Sequence, residues 1–372
     1  MKIKILLSAR DPGAAFNILT LYEILKRSGQ FDVYIAASRP AFDIIASKCV
    51  QPYPFIFRDR ETDVFFEGDP KASLFDLADK VLKLFSPDFV ITGLSSYGAG
   101  IDEALIARSP VKTAVFQDFW GDLNLSLLKT PDIVFTMDSF ASKLTEKRFG
   151  DIKCQVTGHP KLFHLKQKNI SALLEKIRND FDIHEQSVIS FFDQPLFIPG
   201  REEIISCLMD MLKKSENKGR IIFFYKGHPK YREEGAEFMA FVRKEGLNAF
   251  DISSYLDPMP FLAVSDVVTT MFSSCTTDHA LLTFVSDDVS GIAVSLMNRS
   301  VKEYYKSVSG LDKLPLLSMN IGEYLDMDSD NIQSLIDLAG DETKKNEYKN
   351  NCNRYIKEFS MESFISILNE NL

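Results

Sequence analysis

The feature that most constrains this chain is an alternation of short apolar runs with amphipathic helical patterns, sustained through both halves. Residues 2–8 form an Ile- and Leu-rich run of strand length. Residues 14–28 follow as a helix that places Phe16, Leu19, Tyr22 and Leu25 on one face, with Gly29 as its stop. Residues 32–37 read as a strand and 74–85 as a helix, with Pro87 marking the exit into strand 88–92. Helix 100–108, strands 112–117 and 132–136, helix 139–149 and strand 153–157 complete the series. The run 50–70 has no clear period and reads as an excursion from the fold.

Gly158-His159-Pro160 closes that series, and a polar, helical stretch runs to about Gln186. A second series starts with strand 188–192. It continues through helix 202–214, strand 220–225, helix 233–245, strand 249–252, helix 259–264, strand 266–271, helix 276–283 and a weaker strand at 291–296. A long polar helix, 342 to about 368, ends the chain. Such alternation predicts α/β architecture: two Rossmann-like, doubly wound domains facing a cleft, with the C-terminal helix packing back. The expected domains are 1–157 and 187–341, joined by a linker at 158–186 and followed by the helix at 342–372.

Length agrees, since 372 residues exceed what one core usually holds. The net charge is −9, nearly balanced over 1–157 and acidic beyond it, so neither half carries the basic footprint of a nucleic-acid binder. No run approaches the roughly 20 apolar residues of a membrane span. The N-terminal MKIKILLSARDPG has an apolar core of only three residues before Arg10 and Asp11, which reads as a strand and not as a signal peptide. Five cysteines without paired spacing suggest reduced thiols and no zinc site. These features imply a cytoplasmic protein, at most peripheral to the inner membrane face. Oligomeric state is unreadable from them.

Two loops carry most of the chemistry. Tyr225-Lys226-Gly227-His228-Pro229-Lys230 follows a strongly apolar strand and so sits at a carboxyl edge, where open α/β sheets bind ligands. Gly227 allows close backbone approach, His228 can donate to a phosphate oxygen, and Lys226 or Lys230 can add a cation. Phe272-Ser273-Ser274-Cys275-Thr276-Thr277-Asp278 follows the strand at 266–271 and opens a helix, where hydroxyls and free N–H groups hold anions. The plain alternatives are a surface turn and an ordinary hydroxyl N-cap.

A basic-x-His-Pro after one strand, with Ser-Ser some 45 residues later after another, resembles a group of bacterial glycosyltransferases of the two-domain GT-B fold. The group includes sialyl- and polysialyltransferases, capsule Kdo transferases and CDP-glycerol glycerophosphotransferases. The resemblance implies that His228, Ser273 and Ser274 bind the phosphate of a nucleotide-activated donor, cytidine-based in that group. Lys226, Gly227, Pro229 and Thr276 then belong to the same donor site. Gln194, in the loop Asp193-Gln194-Pro195, is similar to a Gln-Pro element of that group.

The first domain is then expected to hold a saccharide or lipid-linked saccharide acceptor and the general base. Asp11, in the loop containing Arg10 and Gly13, is the candidate base by position. Asp118, Trp120 and Asp122 form a second candidate, an aromatic between carboxylates suited either to a sugar face or to a buried anchor with capping acids. His159 is expected in a hinge, and His164, His184 and His279 in structural roles. The reading is a metal-independent, cofactor-free glycosyltransferase of surface-polysaccharide or glycoconjugate synthesis. The alternative is a non-hydrolysing UDP-HexNAc 2-epimerase, which shares the architecture.

Overall fold

The computed structural model describes residues 2–38, 40–48, 57–58, 70–95, 98–195, 197–214, 218–228, 235–255, 257–328 and 334–372. They form two compact units: Met1–Gln167 with Lys357–Leu372, and Lys168–Ile356. The polar stretch expected as a linker is divided between them.

Unit 1 opens with β1 (Ile3–Ala9), α1 (Pro12–Ser28), β2 (Phe31–Ala37), α2 (Ala41–Lys48) and β3 (Phe57–Arg58). It continues with α3 (Pro70–Phe85), β4 (Phe89–Gly93), α4 (Ile101–Arg108), β5 (Thr113–Phe116) and β6 (Ile133–Thr136). Helix α5 (Ser139–Phe149), β7 (Cys154–Val156) and α6 (Lys161–Leu165) follow. Apart from β3, the run 50–70 lies mostly outside the described residues. The sheet is parallel, in the order β3-β2-β1-β4-β5-β6-β7. Strand β1 is central, with Ile5, Leu6 and Leu7 fully buried. Helices cover both faces of such a strand, which is why it reads as an unbroken apolar run.

Helix α1 stops at Gly29, which takes the left-handed conformation at φ 67° and bonds back to the Lys26 carbonyl. Leu19, Tyr22 and Leu25 are buried as expected, but Phe16 is 45% exposed. Each step of three residues drifts about 60° around a helix. Three steps therefore carry Phe16 to the side opposite Leu25.

Unit 2 starts with α7 (Ile170–Asp180), β8 (Ser187–Phe192), α8 (Arg201–Lys214), β9 (Ile221–Lys226) and α9 (Ala236–Lys244). Then come β10 (Asn248–Asp251), α10 (Met259–Val264), β11 (Val267–Thr270), α11 (Cys275–Val285) and β12 (Ile292–Met297). Helices α12 (Arg299–Ser309) and α13 (Pro315–Ser318), strand β13 (Glu323–Asp326), and helices α14 (Ser334–Gly340) and α15 (Glu342–Tyr355) complete it. The sheet is again parallel, ordered β10-β9-β8-β11-β12-β13. Helix α12 and the edge strand β13 are too polar to announce themselves in sequence.

The single terminal helix expected from Glu342 onward is two helices. Helix α15 ends at Tyr355, and α16 (Met361–Asn369) starts anew with Ser360 accepting the Ser363 N–H at 3.1 Å. Helix α16 belongs to unit 1, where Phe364 is fully buried with its ring 5.5 Å from that of Phe135. No helix of the described residues is long and apolar enough to cross a membrane.

Gly158 explains how the returning chain fits against β7. Its φ is +87°, and a Cβ there would stand 2.6 Å from the Glu358 carbonyl oxygen. Gly158→Ala must relieve a backbone clash while holding a left-handed conformation. A loss of about 2–4 kcal/mol in unfolding free energy is expected, measured by urea denaturation, whereas Gly150→Ala, with open space at its Cβ position, should lose less.

Candidate functional site

In each sheet the strand order reverses once, between β1 and β4 and between β8 and β11. The crevice beyond the carboxyl ends of those strands is where wound sheets accept ligands.

In unit 2, β9, β8 and β11 are consecutive neighbours. Their carboxyl ends bring Gly227 and His228, Asp193 and Gln194, and Ser273 and Ser274 to one edge. The two outer loops are separated by two strand spacings, roughly 10 Å. Gly227 is buried, its N–H donates to Ser253 Oγ at 2.8 Å, and a Cβ there would lie 3.2 Å from the same oxygen. His228 follows, half-buried. Pro229 and Lys230 lie outside the described residues. Lys226 Nζ donates to the Tyr255 carbonyl.

Strand β11 ends in a turn in which Ser273 Oγ accepts the Cys275 N–H at 3.3 Å. Ser274 occupies the N-cap position of α11, is exposed, and makes no side-chain cap. A routine cap does not account for the second serine. Thr276, expected among the ligands, is turned inward instead: it is 8% exposed and its hydroxyl donates to the Ser273 carbonyl at 3.0 Å. Gln194 Oε1 accepts the Phe272 N–H at 3.0 Å, fastening the β8 loop to the β11 loop.

In unit 1 the loops after β1, β4 and β5 carry a concentration of carboxyls. Asp11 holds the N-cap position of α1 without a side-chain cap bond. Gly13 has a definite function here: a Cβ would stand 2.7 Å from Asp118 Oδ2. Only glycine lets that carboxyl rest on the start of α1. Burial pushes Asp118 up to about 7, against the pull of the Lys161 ammonium and reinforced by the Asp11 and Asp122 carboxylates. Asp122 is itself raised by burial, with Oδ1 accepting the Leu123 N–H at 3.0 Å.

Of its two readings, Trp120 takes the buried anchor and not the open sugar platform. It is 6% exposed, and its indole N–H donates to Asp138 Oδ2 at 2.7 Å. Burying the ring takes it out of water, and the carboxylate satisfies its single polar atom.

Sequence reading missed two carboxyls at this edge, Asp102 and Glu103, and the side chains that hold them. Asp102, 1% exposed, accepts hydrogen bonds from Ser8 Oγ and Ser95 Oγ, both at 2.5 Å. Burial raises its pKa although the two hydroxyls oppose this. Glu103, beside it, is raised first by burial and then by Asp102. Its carboxylate accepts the Gly100 N–H at 2.8 Å and Asn124 Nδ2 at 2.8 Å, with Arg10 Nη2 at 3.5 Å. Arg10 also lies flat on Gly100, where a Cβ would meet its Cδ at 2.4 Å. The available signal was an Asp-Glu pair opening a helix directly after a buried strand.

The histidines divide as expected of their surroundings. His159 is buried, held neutral by burial and by Lys161, and accepts the Lys161 N–H at 3.2 Å. His279 is fully buried and bonded to Tyr348 Oη at 2.9 Å. His184 is exposed and paired with Asp182 at 2.8 Å, and His164 lies 3.9 Å from Glu23.

Two parallel wound sheets in one chain make up the GT-B fold. No family model and no curated protein matches the sequence. Solved structures do. The UDP-GlcNAc 2-epimerase of Methanocaldococcus jannaschii aligns with 99% of this chain and 100% of its own at 13% identity and a TM-score of 0.70. The Neisseria meningitidis UDP-GlcNAc 2-epimerase, solved with UDP-GlcNAc, aligns over 99% and 100% at 14% identity and a TM-score of 0.67. Acinetobacter baumannii MurG aligns over 99% of both chains at 11% identity and a TM-score of 0.63. At these identities the likeness establishes the fold.

A carboxyl with a folded-state pKa above its unfolded value stabilises the fold at low pH. That contribution fades as pH rises through the folded value. For Asp118 the window runs from about 4 to about 7. The melting temperature should therefore fall with rising pH across it, and Asp118→Asn should flatten the slope. At pH 8 the variant should melt higher than the parent by an amount on the order of 3 °C; melting curves from pH 5 to 8 measure both.

Proposed function

We propose that this chain is an enzyme acting on a nucleotide-activated sugar. In this reading unit 2 binds the nucleotide phosphates at the edge carrying His228, Ser273 and Ser274, and unit 1 supplies the proton-transferring groups. Support for unit 2 comes from the convergence of two loops at its switch point, each with groups suited to phosphate oxygens. Support for unit 1 comes from carboxyls whose pKa values burial has raised, which suits groups that must both take and return a proton near neutral pH.

The reaction favoured is epimerisation at C2 of a UDP-HexNAc without net hydrolysis. A carboxylate removes the C2 proton, the electron pair forms the C1–C2 double bond, and UDP departs from C1. Return of a proton to the opposite face of C2 and re-addition of UDP at C1 gives the epimer. Asp118 is assigned as one acid–base group, with Glu103 beside Arg10 as the second candidate. Hydrogen-bond donors at the unit 2 edge stabilise the charge that grows on the leaving diphosphate. The observation that carries the reading is the Asp118 carboxyl, held near 7 against the glycine that opens α1. The several UDP-GlcNAc 2-epimerases among the end-to-end structural matches add to it.

Glycosyl transfer is the second reading. It is favoured by the His-Pro and Ser-Ser motifs and by the likeness to MurG. There the unit 1 carboxyl would take a proton from a saccharide acceptor, and Asp11 shares the candidacy with Asp118. The donor would be cytidine- or uridine-based.

Incubation with UDP-GlcNAc in heavy water, without any acceptor, separates the two. The first reading expects the C2 epimer carrying deuterium at C2, detected by proton NMR. Unchanged substrate, together with nucleotide release only when a saccharide acceptor is added, would replace it by the second. Under either reading His228→Ala should raise the UDP dissociation constant about tenfold, read by calorimetric titration.

A further inference from the structure

At the carboxyl end of β8, a buried charge pair is linked to both ligand loops of unit 2 through its neighbours Tyr225 and Gln194. The Asp193 side chain is 2% exposed and that of Arg201 4%. Arg201 Nε donates to Asp193 Oδ1 at 2.9 Å, and its Nη2 donates to Oδ2. Tyr225 Oη donates to the same Oδ2 at 2.8 Å, and the Gln194 N–H donates to Oδ1 at 2.7 Å.

Removing two charges from water is costly, and apolar substitutes of similar size often leave a fold equally stable or more so. Stability therefore explains the pair poorly. Its connections explain it better. Towards β9, Tyr225 sits two residues before Gly227, and the Asp193 N–H donates to the Lys226 carbonyl at 2.9 Å. Towards β11, Gln194 is gripped at both ends of its backbone, its N–H by Asp193 and its carbonyl by Arg201 Nε at 3.1 Å. That grip aims the Gln194 amide oxygen at the Phe272 N–H, directly before Ser273. Gly200, next to Arg201, is held in turn by Asn298 Nδ2 on its carbonyl at 2.8 Å.

We propose that Asp193, Arg201, Tyr225 and Gln194 form a positioning strut that sets the spacing between the His228 loop and the Ser273–Ser274 turn. The strut thereby decides how strongly unit 2 holds a diphosphate as opposed to a monophosphate. A ligand with two phosphates can engage both loops at once, whereas one with a single phosphate engages one. The inference rests on the reading that unit 2 binds nucleotide phosphates.

The test compares dissociation constants for UDP and UMP, with CDP and CMP in parallel, by calorimetric titration of the full chain. Gln194→Ala and Tyr225→Phe are the main variants, because neither strands a buried charge. Arg201→Lys keeps the charge and loses the bidentate fork. Each variant is checked by its melting temperature. Diphosphate affinity is expected to fall about tenfold in Gln194→Ala and Tyr225→Phe, as when a buried hydrogen-bond partner is lost, while monophosphate affinity changes by less than about twofold.

Equal losses for both ligands would overturn the strut, as would an unchanged ratio in folded variants. A parent chain that binds none of the four nucleotides would overturn the nucleotide reading itself, and the strut with it.

Discussion

Parallel pairing is the constraint from which the rest follows. Two parallel strands cannot be joined by a tight turn, so each connection must cross over one face of the sheet, usually as a helix. Every strand then ends at the same edge. Where the winding direction reverses, neighbouring loops diverge to opposite faces and leave a crevice. In this chain the reversal occurs at β1/β4 and again at β8/β11. The candidate ligand and carboxyl groups lie in the loops at those two edges, above strands that are buried.

The two edges differ in electrostatic character. Unit 1 gathers carboxyls: Asp11, Asp102, Glu103, Asp118 and Asp122, opposed chiefly by Arg10 and Lys161. Burial raises Asp102, Glu103, Asp118 and Asp122, with Glu103 and Asp118 brought up to about 7. Unit 2 offers hydroxyls, a histidine, backbone N–H groups and the start of α11, a setting complementary to anions. The proposed division between proton transfer in unit 1 and phosphate binding in unit 2 rests on this difference.

Glycine does similar work at three places in these edges. Gly13 admits the Asp118 carboxyl, Gly100 admits the Arg10 stem, and Gly158 admits the returning carbonyl of Glu358. In each case the partner comes from a distant part of the sequence, so the glycine marks a close approach that no local pattern could identify. Of the three, only Gly13 was among the candidate site residues named from the sequence.

Apart from the edge strands β3 and β13, the strand positions and the loops that follow them were legible in the amino-acid order, because a strand covered on both faces must be a continuous apolar run and its end is marked by Gly, Pro or a polar cluster. His228, Ser273, Asp11 and Asp118 were therefore found by their place after such runs. Burial and partnership were not legible. Trp120 reads the same whether open to solvent or sealed against Asp138, and Asp102 and Glu103 read as ordinary first-turn acids until Ser8, Ser95 and Asn124 are brought to them. The break between α15 and α16 was hidden because residues 356–360 carry no Gly or Pro to mark it, although the chain passes there from unit 2 to unit 1. Local order is set by neighbours in the chain, but the protonation state and accessibility of a side chain are set by whatever folds against it, and only the tertiary structure decides that.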